Sequence, residues 1–211
     1  MARVYPAWRT GIGRSCGYNR NEDASDYLSV EELVAEFVDI VSKNGSLVLN
    51  VGPRPGGTIP PEQTERLRAF GRWLEACGEA YFESSPWTRA EGATAEGSPV
   101  RFTLGADGVL YAMVIGAIPD GVVSIGDLSG SPSHVRLLGF ESPLSWSTEG
   151  DVLHIALPDD LPEQPAYAFA IRASTRASRD AAKDERCMRP WILNPSGRPS
   201  CWCSHEGAGA L

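Results

Sequence analysis

The chain offers five cysteines, three histidines and 27 acidic residues, and their spacing narrows the chemistry open to it. Cys187, Cys201, Cys203 and His205 are ligand types that suit zinc. Paired zinc cysteines are usually separated by roughly two to four residues, whereas Cys201-Trp202-Cys203 leaves one, so incidental thiols are the better reading. Asn21, Asp23, Ser25 and Glu32 match ligand positions of a calcium-loop count. The glycine that such a loop needs is replaced by Asp26, so a solvated loop leading into a helix fits better. His134 and His154 alternate with apolar neighbours in strand-like runs, and neither is read as the base of a Ser-His-Asp or Cys-His site. Gly52-Pro-Arg-Pro-Gly-Gly57 is glycine-rich but lacks the Gly-Lys-Ser/Thr that cradles phosphate. Trp73 and Trp87 read as packing residues rather than sugar platforms, and Trp146 as a candidate exposed ring. No metal or cofactor is therefore expected.

Composition sets the frame for these residues. The chain has 211 residues, 42% of them hydrophobic, which is enough to build a real core. Its net charge of −8 argues against a nucleic-acid or anionic-membrane partner. No apolar run approaches the roughly 18 residues of a membrane span. The opening Met-Ala-Arg-Val-Tyr-Pro-Ala-Trp has no apolar signal core, so the sequence as it stands reads as cytoplasmic. An odd number of cysteines does not suggest a disulfide framework.

The elements fall into three stretches. Residues 1–28 read as loop. Ser29 and Glu32 form a capping box for a helix whose apolar face is Val30, Leu33, Val34, Phe37, Val38 and Val41, and Asn44-Gly45 stops it. Ser46–Val51 reads as a strand buried on both faces. A second helix opens at Pro60-Pro61 and carries Leu67, Phe70, Leu74 and Cys77 on one side. From residue 98 to 172 the signals change to short strands separated by turn residues, the pattern of an antiparallel sandwich. The expected organisation is α/β followed by all-β: residues 1–88, then 89–172, with the boundary near 85–97. Residues 173–211, where Pro190, Pro195 and Pro199 recur, read as a poorly ordered tail.

Three contiguous motifs carry a resemblance. Gly11-Ile-Gly-Arg-Ser-Cys-Gly-Tyr-Asn-Arg-Asn-Glu-Asp23 is one. Leu33–Gly45 running into Leu47-Val-Leu-Asn-Val-Gly-Pro53 is the second. Gly57-Thr-Ile-Pro60 through Gly71-Arg-Trp-Leu74, Gly78–Tyr81 and Pro86-Trp87 is the third. Together they resemble the α-L-fucosidases of glycoside hydrolase family 29, closely over residues 8–88 and by architecture over 98–172. The resemblance implies the last segment of a (β/α)8-like catalytic barrel followed by a C-terminal β-sandwich. It implies removal of terminal α-L-fucose from fucosylated glycans with retention, through a covalent intermediate. Leu47–Val51 would be the last barrel strand, and the loop 9–28 would lie at the barrel mouth.

The resemblance also assigns Trp8, Cys16 and Tyr18 to substrate binding. It assigns no catalytic residue here: the family's nucleophilic Asp and acid/base Glu belong to motifs upstream of Met1, so the chain alone is expected to be inactive. Two departures stand out. Arg9 follows Trp8 where the family usually carries Glu, and Cys16 replaces an aromatic that helps line the pocket for the fucose methyl group. The alternative is a non-catalytic sandwich that binds carbohydrate or serves a structural role. With a single barrel strand lacking neighbours, Val48, Val51, Val34 and Phe37 are expected to expose apolar surface and to drive oligomerisation or aggregation.

Overall fold

A computed structural model of the protein describes residues 8–118, 121–128 and 130–173. The zinc reading of Cys187, Cys201, Cys203 and His205 and the expected disorder of the tail lie outside the described residues, as does the side chain of Trp8.

Helix α1 (Val30–Ser42) begins where its capping box predicts: Ser29 Oγ accepts the Glu32 N–H, and the Glu32 carboxylate accepts the Ser29 N–H. It ends in a Schellman turn. Asn44 takes the left-handed conformation at φ 65°, and Gly45 N–H donates to Ile40 O at 2.8 Å. Gly45 is required for a different reason: a Cβ there would lie 2.7 Å from the Ile40 side chain. Helix α2 (Pro61–Cys77) starts with Pro61 at its first position, where the missing N–H costs no hydrogen bond.

Two expectations about the first stretch are corrected. Trp8–Gly11, read as loop, forms strand β1 and pairs in parallel with β2 (Leu47–Asn50), in the register Trp8↔Leu47 to Gly11↔Asn50. The strand at 47–50 therefore has a neighbour. Nor is it buried on both faces, because Val48 is 49% exposed. Trp-Arg-Thr-Gly has no alternation that a periodicity argument could detect, and its extended form comes from the β2 backbone.

The remaining strands form two antiparallel sheets. The larger has the order β3-β4-β5-β10-β7, with β3 (Ser84–Ala93), β4 (Pro99–Gly105), β5 (Leu110–Ile115), β10 (Ala166–Ala173) and β7 (Pro132–Leu137). The smaller is β6 (Val122–Ile125), β9 (Val152–Ala156) and β8 (Ser145–Glu149), in the order β6-β9-β8. Their facing side chains, among them Phe102, Val114, Ile125, Leu153, Ile155 and Phe169, make one sandwich-like core.

The larger sheet is covered on its other face as well. Along β10, Tyr167, Phe169 and Ile171 enter the sandwich core, while Ala166, Ala168 and Ala170 face α1 and α2. Alanines let the helices approach closely, which explains why Ala-Tyr-Ala-Phe-Ala-Ile is buried throughout. Trp73 of α2 sits in this second core and donates its indole N–H to Ala166 O at 3.0 Å. Phe37, Phe70 and Tyr81 surround it, with ring centroids 5.2–6.2 Å away. This packing corrects the expected exposure of Val34 and Phe37: Val34 is fully buried and Phe37 is half-buried, because the helices dock on the alanine face. Polar ties reinforce the join. The Asp39 carboxylate takes Arg101 Nε at 2.6 Å and Lys43 Nζ at 2.8 Å, and Lys43 reaches Glu91 at 3.2 Å.

Candidate functional site

Strands β1 and β2 run in parallel, and the loops that leave their carboxyl ends, residues 12–28 and 51–60, meet above them. In parallel α/β arrangements this is where ligands bind. Five hydrogen bonds hold the loops. Ile12, nearly fully buried, donates its N–H to Asn50 O at 3.0 Å and accepts from Leu28 N at 2.8 Å. Asn50 Nδ2 donates to Cys16 O at 2.6 Å. Gln63, buried at the start of α2, accepts the Gly52 N–H at 3.0 Å. Arg66 donates from Nε to Leu28 O at 2.7 Å. Gly52 presses on the Gly17–Tyr18 backbone so closely that a Cβ would come within 2.6 Å of Tyr18 N. No other residue type fits there without moving a loop.

A hollow of about 370 Å³ opens above the strand ends, between Thr10, Ile12, Arg14, Cys16, Asp26 and Asn50. That volume suits a small molecule. A second hollow, of about 630 Å³, adjoins it across Ser15 and is bounded by Tyr18, Asn19, Arg20, Asn21 and Pro55. Cys16, an exposed free thiol, lines the first, and Tyr18, 40% exposed, lines the second.

The carboxylates of this region are engaged in holding the loop. Glu22 Oε1 accepts the Ser15 N–H at 2.7 Å. Asp26 accepts the Asp23 N–H and pairs with Arg14 at 3.2 Å. Asp23 caps the short helical turn Ala24–Asp26, and hydrogen bonds from the Ser25 hydroxyl and N–H hold its carboxyl below the usual value. Asp23 and Glu32, two of the residues in the calcium count, are therefore capping groups. Among the described residues no three acidic, histidine or cysteine side chains converge as metal ligands. What the hollows offer a ligand is backbone and amide hydrogen bonding, an aromatic face and guanidinium groups.

The other candidates lie elsewhere. Trp73 is buried, and Trp87 packs on Phe102 at 5.1 Å between centroids, as packing residues do. Trp146 is 37% exposed at the rim of the smaller sheet. His154 Nδ1 shares a hydrogen bond with Ser124 Oγ at 3.0 Å on that sheet, and His134 is exposed on β7. Buried Cys77 has its thiol pushed up to about 11 by desolvation, which makes it inert. Asn50 and Gln63, which clamp the loops, were not read from the sequence. The available signal was a polar side chain at the end of the apolar run Leu47-Val-Leu.

Comparison with known proteins agrees with this geometry. Residues 5–79 match the family model described as alpha-L-fucosidase. The α-L-fucosidase of Branchiostoma floridae is 34% identical over 165 residues, which is 75% of this chain and 36% of the relative. Human plasma α-L-fucosidase is 35% identical over 164 residues, 74% of this chain and 35% of the relative. The crystal structure of Thermotoga maritima α-fucosidase in complex with fucose superposes with a TM-score of 0.72 at 38% identity, covering 79% of this chain and 40% of that one. The class is thus that of the glycoside hydrolases. Within it, the chain belongs to the α-L-fucosidase family. It spans about a third of the length of these curated relatives.

Proposed function

We propose that this chain is the C-terminal portion of an α-L-fucosidase, which in its complete form removes terminal α-L-fucose from fucosylated glycans with retention. In this reading β1 and β2, with α1 and α2, are the closing segment of a (β/α)8-like barrel over residues 1–88, and residues 89–172 are the appended sandwich. The single observation that carries the reading is the parallel pair β1–β2 with its loops clasped over a monosaccharide-sized hollow, within the stretch that matches the family. Trp8, Cys16 and Tyr18 would contact the substrate there.

Retention requires a nucleophile and an acid/base about 5–5.5 Å apart. At this mouth Glu22, Asp23 and Asp26 are occupied by backbone N–H groups and Arg14. The reading therefore places the catalytic pair on protein segments other than these residues. It also gives the exposed Val48 face of β2 a role as a joining surface, toward the rest of a barrel or toward a second copy of the chain. The test is hydrolysis of a chromogenic α-L-fucoside by the purified chain. No turnover above buffer is expected. General acid catalysis alone is worth roughly 10²–10⁴-fold, so turnover that survives a second purification would contradict the placement of the pair.

A further inference from the structure

The second hollow is bordered by two arginines that hold no ion pair among the described residues, in a chain that is acidic overall. Arg20 lines it, and Arg54 precedes its lining residue Pro55. Arg54 is presented by a closed turn: its N–H donates to Thr58 O and its carbonyl accepts the Gly57 N–H, both at 2.8 Å. Its guanidinium lies 6.0 Å from the centre of the Tyr18 ring. Both arginines are exposed, and no carboxylate among the described residues lies within ion-pair distance of either. Most other described arginines are engaged. Arg14, Arg89, Arg101, Arg136 and Arg172 each hold a carboxylate, and Arg66 holds backbone carbonyls. In the same hollow, Asn19 is locked by Ser15 Oγ at 3.2 Å and by the Asn21 N–H at 3.0 Å, which fixes the wall.

We infer that this hollow receives the anionic sugar of a charged fucosylated glycan, with Arg20 and Arg54 meeting its carboxylate or sulfate and Tyr18 lying against its ring. This deepens the fucosidase reading and rests on it. Guanidinium groups match planar and tetrahedral oxyanions through paired N–H donors, and an aromatic face suits the apolar face of a pyranose. The hollow shares Ser15 with the smaller one, so a ligand seated in the first would extend into the second.

The test uses the full chain and saturation-transfer NMR titrations with four probes: fucosylated N-acetyllactosamine, its 3′-sulfated form, its 3′-sialylated form, and the 3′-sulfated form lacking fucose. At least one charged fucosylated probe is expected to bind about 5- to 10-fold more tightly than the neutral one, as two exposed ion pairs allow. Which of the two gains more identifies sulfate or carboxylate as the group bound. The gain is expected to fall towards one in an R20Q/R54Q double variant. It should also fall in about 1 M salt, where the screening length is near 3 Å. Equal binding of neutral and charged probes, binding of none, or a preference that survives the double variant would overturn the inference. If the fucose-free sulfated probe binds as well as its fucosylated form, the fucose reading fails while the anion subsite stands.

Discussion

The two strands that flank α1 are treated differently by the same helix. β10 is buried on both faces, with large side chains toward the sandwich and alanines toward the helices. β2 lies beside α1, has no fully buried residue and leaves Val48 half exposed. Both strands read as apolar runs. The contrast shows that an apolar run records the burial available to a strand, while the neighbouring sequence decides how much of that burial this chain supplies. β10 finds both cover layers within residues 30–171. β2 finds one.

The largest effect that could break this comparison is expected at Trp73. Truncation to Ala removes a buried indole and its bond to Ala166, and should cost about 3–5 kcal/mol. Urea melts followed by near-UV circular dichroism would measure it. Loss of the sandwich transition together with the helices would show that the two cores melt as one unit. An unchanged sandwich transition would show that they do not.

A smaller effect is expected from overfilling the alanine face. Ala168→Leu inserts bulk where α2 approaches the sheet, and should cost about 1–3 kcal/mol. A neutral result would mean that the helices sit less tightly on β10 than the alanine stripe implies.

Acid should weaken the same join. Burial alone would raise the Asp39 carboxyl, but hydrogen bonds from Lys43 and Arg101 outweigh it and hold the group below its ordinary value. Glu79 is likewise held down, first by its hydrogen bond from Arg136. A carboxyl depressed in the folded state contributes stability that is present above its unfolded value and lost as pH falls through the folded one. Melting temperature should therefore begin to fall below about pH 4.5. Asp39→Asn should remove part of that fall and cost about 1 kcal/mol at neutral pH, a modest figure because the pair is partly exposed.

The smallest effect is expected at Val48. Val48→Ser should change stability by less than about 0.5 kcal/mol, since half of the side chain is already in water. Sedimentation velocity on the same variant should show less self-association than the parent.

Much of the fold was legible. The Ser29–Glu32 box, the Asn44-Gly45 stop, the proline start of α2 and six of the sandwich strands all follow from local chemistry. The strands that escaped share a physical reason. β1 is short and mixed in character. β3 contains Pro86 and Gly92 and lies at a sheet edge, and β8 is exposed along its whole length. Edge strands need neither alternation nor β-branched residues, so periodicity has nothing to detect. At the candidate site, the sequence drew attention to Cys16 and Tyr18 through motif resemblance. The Asn50–Cys16 clamp joins residues 34 apart in sequence and the Gly52–Gln63 clamp spans the loop into α2, and only the folded chain brings each pair together.

The most direct measurement is made on a chimera. The segment of Thermotoga maritima α-fucosidase that superposes on residues 8–173 would be replaced by those residues, and kcat/KM measured on a chromogenic α-L-fucoside. If loops 12–28 and 51–60 shape the mouth of a fucosidase, the chimera should hydrolyse the fucoside, and Gly52→Ala, which forces those loops apart, should lower kcat/KM by at least about tenfold. A folded, soluble chimera with no activity, or one in which Gly52→Ala changes nothing, would contradict the account.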